Sequence, residues 1–177
     1  MINSLLLVLF NLFRIMFKKI LHPGRFKVAW IQRISSRCSL KVFDKGLINI
    51  GYNCDFAPYS DFEVHGSGFL SIGKGCFFNR FCVISAQESV KIGDGCMFGP
   101  GVKVFDNNHK HSPECGVSQE LTTAPVIIGN KCWICSDVII LKGARIGDNC
   151  VIGAGCVVRG EIPAGSVVTL KQGLLIK

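Results

Sequence analysis

Between Ile50 and Val158 the large apolar residues return with a period of six, a spacing that belongs neither to a helix nor to a long alternating strand. Six units show the pattern: IGYNCD from Ile50, IGKGCF from Ile72, IGDGCM from Ile92, IGNKCW from Ile128, IGDNCV from Ile146 and IGAGCV from Ile152. Weaker copies lie in phase between them, pairing Phe78 with Cys82, Phe98 with Val102, Ile134 with Val138 and Ile140 with Ala144. A repeat of this length is read before any other feature, because each unit cannot bury its apolar side alone. If six residues make one short flat strand and one corner, three units close a triangular coil. The next coil then stacks on it at a parallel-strand spacing of about 4.8 Å. The aliphatic residue fills the prism, and the small residue four places on packs near a corner. The glycine after the aliphatic residue is read as a turn glycine, free to take positive φ. The predicted class is all-β, a parallel β-helix solenoid.

Three stretches fall outside the repeat, and they set the domain organisation. Residues 1–34 open with MINSLLLVLFNLFRIMFKKIL, apolar with basic residues from Arg14 onward, and break at His22-Pro23-Gly24. This reads as a helical segment. Its uninterrupted apolar run, Leu5 to Phe10, is too short to span a bilayer. No positive charge precedes that run and no small-residue cleavage site follows it, so a cleaved signal peptide is not expected. Two roles stay open for it, peripheral contact with a membrane surface and packing against the protein itself. The β-helix is expected over residues 35–170, with a tail at 171–177. Its one long interruption, residues 105–125, is polar and out of phase and carries two of the four histidines. Long departures from a rigid repeat are usually functional.

Composition narrows the function. A chain of 177 residues with 49% hydrophobic content buries one sizeable core and is not disordered. A net charge of +8 favours anionic partners, but the basic residues lack the aromatic interleaving of a nucleic-acid surface, and no nucleic-acid partner is expected. Ten cysteines could suggest disulfides, yet there is no zinc-like cluster. Seven (Cys54, Cys76, Cys82, Cys96, Cys132, Cys150 and Cys156) hold one phase of the repeat and read as buried apolar fillers. A reducing, cytoplasmic setting follows, at the inner face of the membrane if the first segment binds it.

The six units, the looped-out FDNNHKH and the run from Ile128 to Val168 resemble the hexapeptide-repeat acetyltransferases, in particular the galactoside, maltose and capsular-polysaccharide O-acetyltransferases. The resemblance covers roughly residues 42–168 and implies a left-handed β-helix, a homotrimer, and a site between neighbouring subunits that takes acetyl-CoA and a saccharide acceptor. The family's catalytic histidine falls on His109, its acceptor-contacting asparagine on Asn79 and its tryptophan on Trp133. Ser136 and Ala154 match positions along the pantetheine arm. Arg159 and Gly160 stand where the family has Thr-Lys, near the nucleotide phosphates, and the family's closing segment is missing.

Each assignment has a plainer rival. Asn79 could simply close a turn, and Trp133 could be packing. His111 matches nothing in the family and reads as solvated, while His22 and His65 read as structural. For His109, its place in the only excursion separates it from an incidental histidine. A sugar hydroxyl needs a base to attack a thioester, neutral imidazole supplies one, and a backbone amide can hold the oxyanion without a covalent intermediate. A cysteine nucleophile is not expected, since neither Cys115 nor Cys135 has an evident activating partner and Cys38 precedes the repeat. The alternatives within reach are N-acetylation of an amino-sugar nucleotide and a catalytically inert scaffold. A zinc carbonic anhydrase on the same helix would need a third histidine one coil away, and no metal is expected.

Overall fold

The structure, a computed structural model, describes residues 4–170, so the expected tail at 171–177 lies outside the described residues. Short parallel strands stack into three faces of a left-handed β-helix of about six turns. One coil runs Leu47–Ile50 on the first face, Asp55–Phe56 on the second and Asp61–Val64 on the third; Phe69–Ile72 then returns to the first face one level up. Side chains alternate inward and outward along each strand, which is why Leu70, Ile72, Phe78 and Ile84 are buried while their neighbours are not. Inside the second face Phe56, Phe78 and Phe98 stack in consecutive coils, with ring centroids 5.0 and 4.4 Å apart, and Phe62 meets the first two edge-on.

The glycine of each unit has a different cause from the one expected. Positive φ falls on the fourth residue, at Asn53, Gly75, Gly95, Lys131, Asn149 and Gly155, and none of the glycines next to the isoleucine adopts it. Those glycines are required by the coil above. A Cβ on Gly51 would lie 2.7 Å from the Lys74 nitrogen, on Gly93 2.7 Å from the Gly129 carbonyl carbon, and on Gly147 2.4 Å from the Ala164 nitrogen. The residue after the glycine bonds the coil below: Asp94 Oδ1 accepts from Lys74 N at 2.9 Å, Asn130 Oδ1 from Asp94 N at 2.8 Å and Asp148 Oδ1 from Asn130 N at 2.6 Å.

The repeat cysteines are buried, and Cys38, placed before the repeat on sequence, proves to be in phase and buried with them. Their thiols are more than filler. Cys54 Sγ donates to the Gly73 carbonyl at 3.1 Å, Cys76 to Gly93 at 3.1 Å, Cys96 to Gly129 at 3.0 Å and Cys132 to Gly147 at 3.1 Å. A methyl-bearing side chain of similar size would leave those corner carbonyls without this weak donor.

A helix, Ser4–Leu21, occupies the first part of the segment expected over 1–34; Phe26–Val28 and Arg33–Ile34 already belong to the first coil. The helix lies over the open end of the solenoid. Buried Asn11 donates from Nδ2 to the Ile34 carbonyl at 2.9 Å, and Arg14 donates to the carbonyls of Ser35 and Cys38, groups with no coil below to bond them. Ile15, on the inner side of the helix, is buried against the solenoid.

Two measurements check this frame. Gly93→Ala should cost about 1–3 kcal/mol in urea unfolding, whereas Lys131→Gly, at φ 53°, should be neutral or stabilise by up to about 1 kcal/mol. Burial pushes the Cys38 and Cys82 thiols up to about 12, which starves them of reactive thiolate. By burial, which closes the core thiols to a reagent, exposed Cys115 in native protein should react with a colorimetric thiol reagent first, half-buried Cys135 more slowly, and the eight core thiols only on unfolding. Rapid native labelling of several core cysteines would contradict the packing.

Candidate active site

The interruption at 105–125 is a β-hairpin, Asn107–Ser112 paired antiparallel with Gly116–Thr123, which leaves the corner between the third and first faces. Its root is Asp106. The repeat would place an aliphatic residue at this inward position, and the carboxylate there is fully buried. It accepts from the backbone N–H of Gln87, Glu88 and Ser89 at 2.7–3.1 Å and from Asn107 Nδ2 at 3.0 Å. One side chain thus satisfies the donors of the coil below where the chain departs and cannot do so with its backbone. On the far side Lys142 of the next coil donates to Thr122 Oγ1, and Gly143 N to the Ala124 carbonyl at 3.1 Å.

Within the hairpin His109 pairs with Leu121, and its Nδ1 lies 3.0 Å from the Ser118 carbonyl oxygen. A carbonyl can only accept, so Nδ1 carries the hydrogen and Nε2 keeps its lone pair free. This is the tautomer a general base requires. His109 is exposed to solvent, and a register irregularity separates it from His111, which pairs with Val117 nearer the tip. His65 stacks on Phe43 at 4.6 Å with Nε2 3.2 Å from Glu63, and His22 lies 3.3 Å from Arg25.

The other residues singled out from sequence fall elsewhere on the prism. Asn79 begins the corner between the second and third faces, where its Oδ1 accepts from Arg80 N at 2.8 Å; its amide oxygen closes that corner. Ser136 and Ala154 hold equivalent places on the same corner one coil apart, above Pro100. Together with Gly99, Gly153 and Gly155 they line the upper coils of that edge with small residues, while Tyr59, Arg80 and Phe81 stand on the same corner in the coils below. Trp133 stands outward on the second face between Met97 and Val151 and is 53% exposed, so it is not part of the core. Arg159 and Gly160 are exposed on the third corner, on His109's edge of the prism. The chain therefore brings Asn79, Ser136 and Ala154 to one edge and His109, Arg159 and Gly160 to another. Among the described residues no three His, Cys, Asp or Glu side chains converge as a metal site.

Sequence reasoning missed Asp106, Ser118 and Lys142. The first had a signal, a carboxylate in the inward phase of the repeat immediately before the interruption. The other two act through a cross-strand carbonyl and a contact to a later coil, neither of which any local pattern records.

Residues 125–160 match the sequence profile of the bacterial transferase hexapeptide repeat. The galactoside O-acetyltransferase of Escherichia coli K12 is 37% identical over 118 residues, 67% of this chain and 57% of that protein. WbbJ of the same organism, provisionally named for O-acetyl transfer in lipopolysaccharide biosynthesis, is 30% identical over 141 residues, 75% of this chain and 72% of WbbJ. Among solved structures, a galactoside acetyltransferase in complex with coenzyme A superposes with a TM-score of 0.60 at 35% identity, over 67% of this chain and 58% of that one. The chain thus spans little more than half the length of these galactoside enzymes.

Asp106→Ala should cost about 2–4 kcal/mol by leaving buried N–H groups unpaired, and should free the hairpin root, seen as faster amide exchange at Gln87–Ser89. An unchanged exchange pattern would show that the hairpin does not depend on this anchor.

Proposed function

Because the chain belongs to the hexapeptide-repeat acetyltransferase family, we propose that it moves the acetyl group of acetyl-CoA to a hydroxyl of a saccharide, with His109 as general base. The observation that carries this is the Ser118 carbonyl bonded to His109 Nδ1, which leaves Nε2 free on the hairpin. Nε2 takes the hydroxyl proton as the oxygen attacks the thioester carbonyl. Backbone N–H groups stabilise the tetrahedral oxyanion, and the imidazolium returns the proton to the departing thiolate, so no covalent enzyme intermediate forms. The relatives reported above are named for O-acetyl transfer, which favours a hydroxyl over an amine as acceptor.

The edge bearing Ser136 and Ala154 suits a narrow pantetheine arm, since small residues and glycines leave its backbone open to approach. Arg159 is the basic group we assign to the nucleotide phosphates, while Asn79 and Trp133 face the acceptor. His109 and this edge lie on different corners of one chain, and the reading therefore includes a homotrimer in which the hairpin of one copy reaches the second corner of the next. Eight core thiols, none disulfide-bonded, fit the cytoplasmic side, where acetyl-CoA is made.

Free CoA released from acetyl-CoA should be detected with galactosides or other saccharides as acceptors. His109→Ala should lower kcat about 10²–10⁴-fold with little change in CoA affinity, and His111→Ala should stay near wild type. The reverse outcome would move the base to His111. Turnover confined to an amino-sugar nucleotide would replace the hydroxyl acceptor with an amine.

A further inference from the structure

The N-terminal helix has two sides, and the one facing away from the protein is the more apolar. Leu6, Leu9, Phe10, Phe13, Phe17 and Ile20 fall at helical spacing on the outer side, with Phe13 70% and Ile20 68% exposed. A helix whose task ended at capping the first coil would carry polar residues there. Trp30 and Ile31 of the first coil are exposed as well, and Lys19 Nζ sits 4.0 Å over the Trp30 ring.

Charge is distributed along the chain with the same bias. Eight lysines and arginines precede Asp44, the first acidic residue, and the 12 basic residues after it are matched by all 12 acidic ones. The whole net charge of +8 therefore belongs to the first 43 residues, the helix and the first coil. Arg14, Arg33 and Lys41 are engaged internally, with first-coil carbonyls, Asp55, and Asp61 with Glu63. Lys18, Lys19, Arg25 and Lys27 flank the apolar side without a carboxylate partner among the described residues, Arg25 donating through one nitrogen to the backbone carbonyl of Asp44.

We propose that this end of the solenoid is a docking surface for an anionic lipid bilayer, with the helix lying in the headgroup region, its outer side toward the acyl chains and the four basic residues against lipid phosphates. No described helix is long and apolar enough to cross a membrane, so attachment is at the surface. An apolar stripe with basic residues and an aromatic ring at its margin is the chemistry of an interfacial helix. Each basic group strengthens contact with anionic lipid and gives the attachment a salt dependence. The packed inner side keeps the helix folded in both states, so docking carries little ordering cost. This inference stands apart from the acyl-transfer reading and is read out without an acceptor.

The test uses the full chain and sedimentation with vesicles of phosphatidylcholine alone or with phosphatidylglycerol. Wild type should pellet with the mixed vesicles, far less with phosphatidylcholine alone, and less as salt rises. Phe13→Gln with Phe17→Gln, both at exposed positions, should lower partitioning at least about tenfold while leaving thermal unfolding and coenzyme A binding unchanged. Lys19→Gln with Lys27→Gln should reduce binding to the mixed vesicles alone. Wild type remaining in the supernatant would overturn the proposal. So would the double phenylalanine variant binding as well as wild type, or losing a higher oligomer by light scattering, which would show that a second copy covers this side.

Discussion

Every feature of the frame depends on one constraint: backbone N–H and C=O groups of each coil bond the coil stacked on it at about 4.8 Å. The contact is close enough that side chains at the first corner must give way. Glycine follows each isoleucine because the next coil's backbone stands where a Cβ would be. The following Asp or Asn accepts from an N–H of the coil below, the fourth residue turns through positive φ, and the thiol after that meets a carbonyl of the coil above. The six-residue unit is a chain of consequences of one stacking distance rather than a set of independent preferences.

Such a frame is stiff, and any departure from it must satisfy the groups it abandons. The hairpin meets this requirement with Asp106, whose carboxylate accepts four hydrogen bonds in place of the missing strand. A buried carboxylate is tolerated there because donors surround it. The same economy appears at the open end, where Asn11 and Arg14 cap carbonyls that have no coil beneath them. Both places where the stack is broken are therefore polar inside, and both are where the protein offers something outward: an imidazole in one case, an apolar helix side in the other.

This explains what could be read from the residues alone. The solenoid was legible because packing and backbone bonding repeat every six residues, so errors in one unit are corrected by the others. The cause of the glycines was not, since positive φ and close approach of a neighbouring coil leave the same letter in the sequence. Cys38 was missed because its unit, read from Ile34, lacks the glycine and begins before the regular run. The place of His109 was visible as an interruption, but its tautomer depends on Ser118 across a hairpin whose register is irregular. Asn79 was recognisable, whereas the turn role of its oxygen required the Arg80 N–H to be placed.

The same stiffness bears on how the proposed reaction is assembled. Along one coil the third and second corners are separated by a face of about six residues, on the order of 15–20 Å of extended chain. The hairpin's polar contacts outside itself run to residues 85–89 and to 142–143, all at its own corner. No hinge within a face could close that gap without breaking ladder bonds on both sides of it. On the proposed reading, His109 at one corner and the edge of Ser136 and Ala154 at another therefore meet between neighbouring copies rather than within one chain. In the proposed homotrimer, rigidity would shift the assembly of the site from motion within a chain to association between chains, and contact between copies would set the distance of His109 from the acceptor.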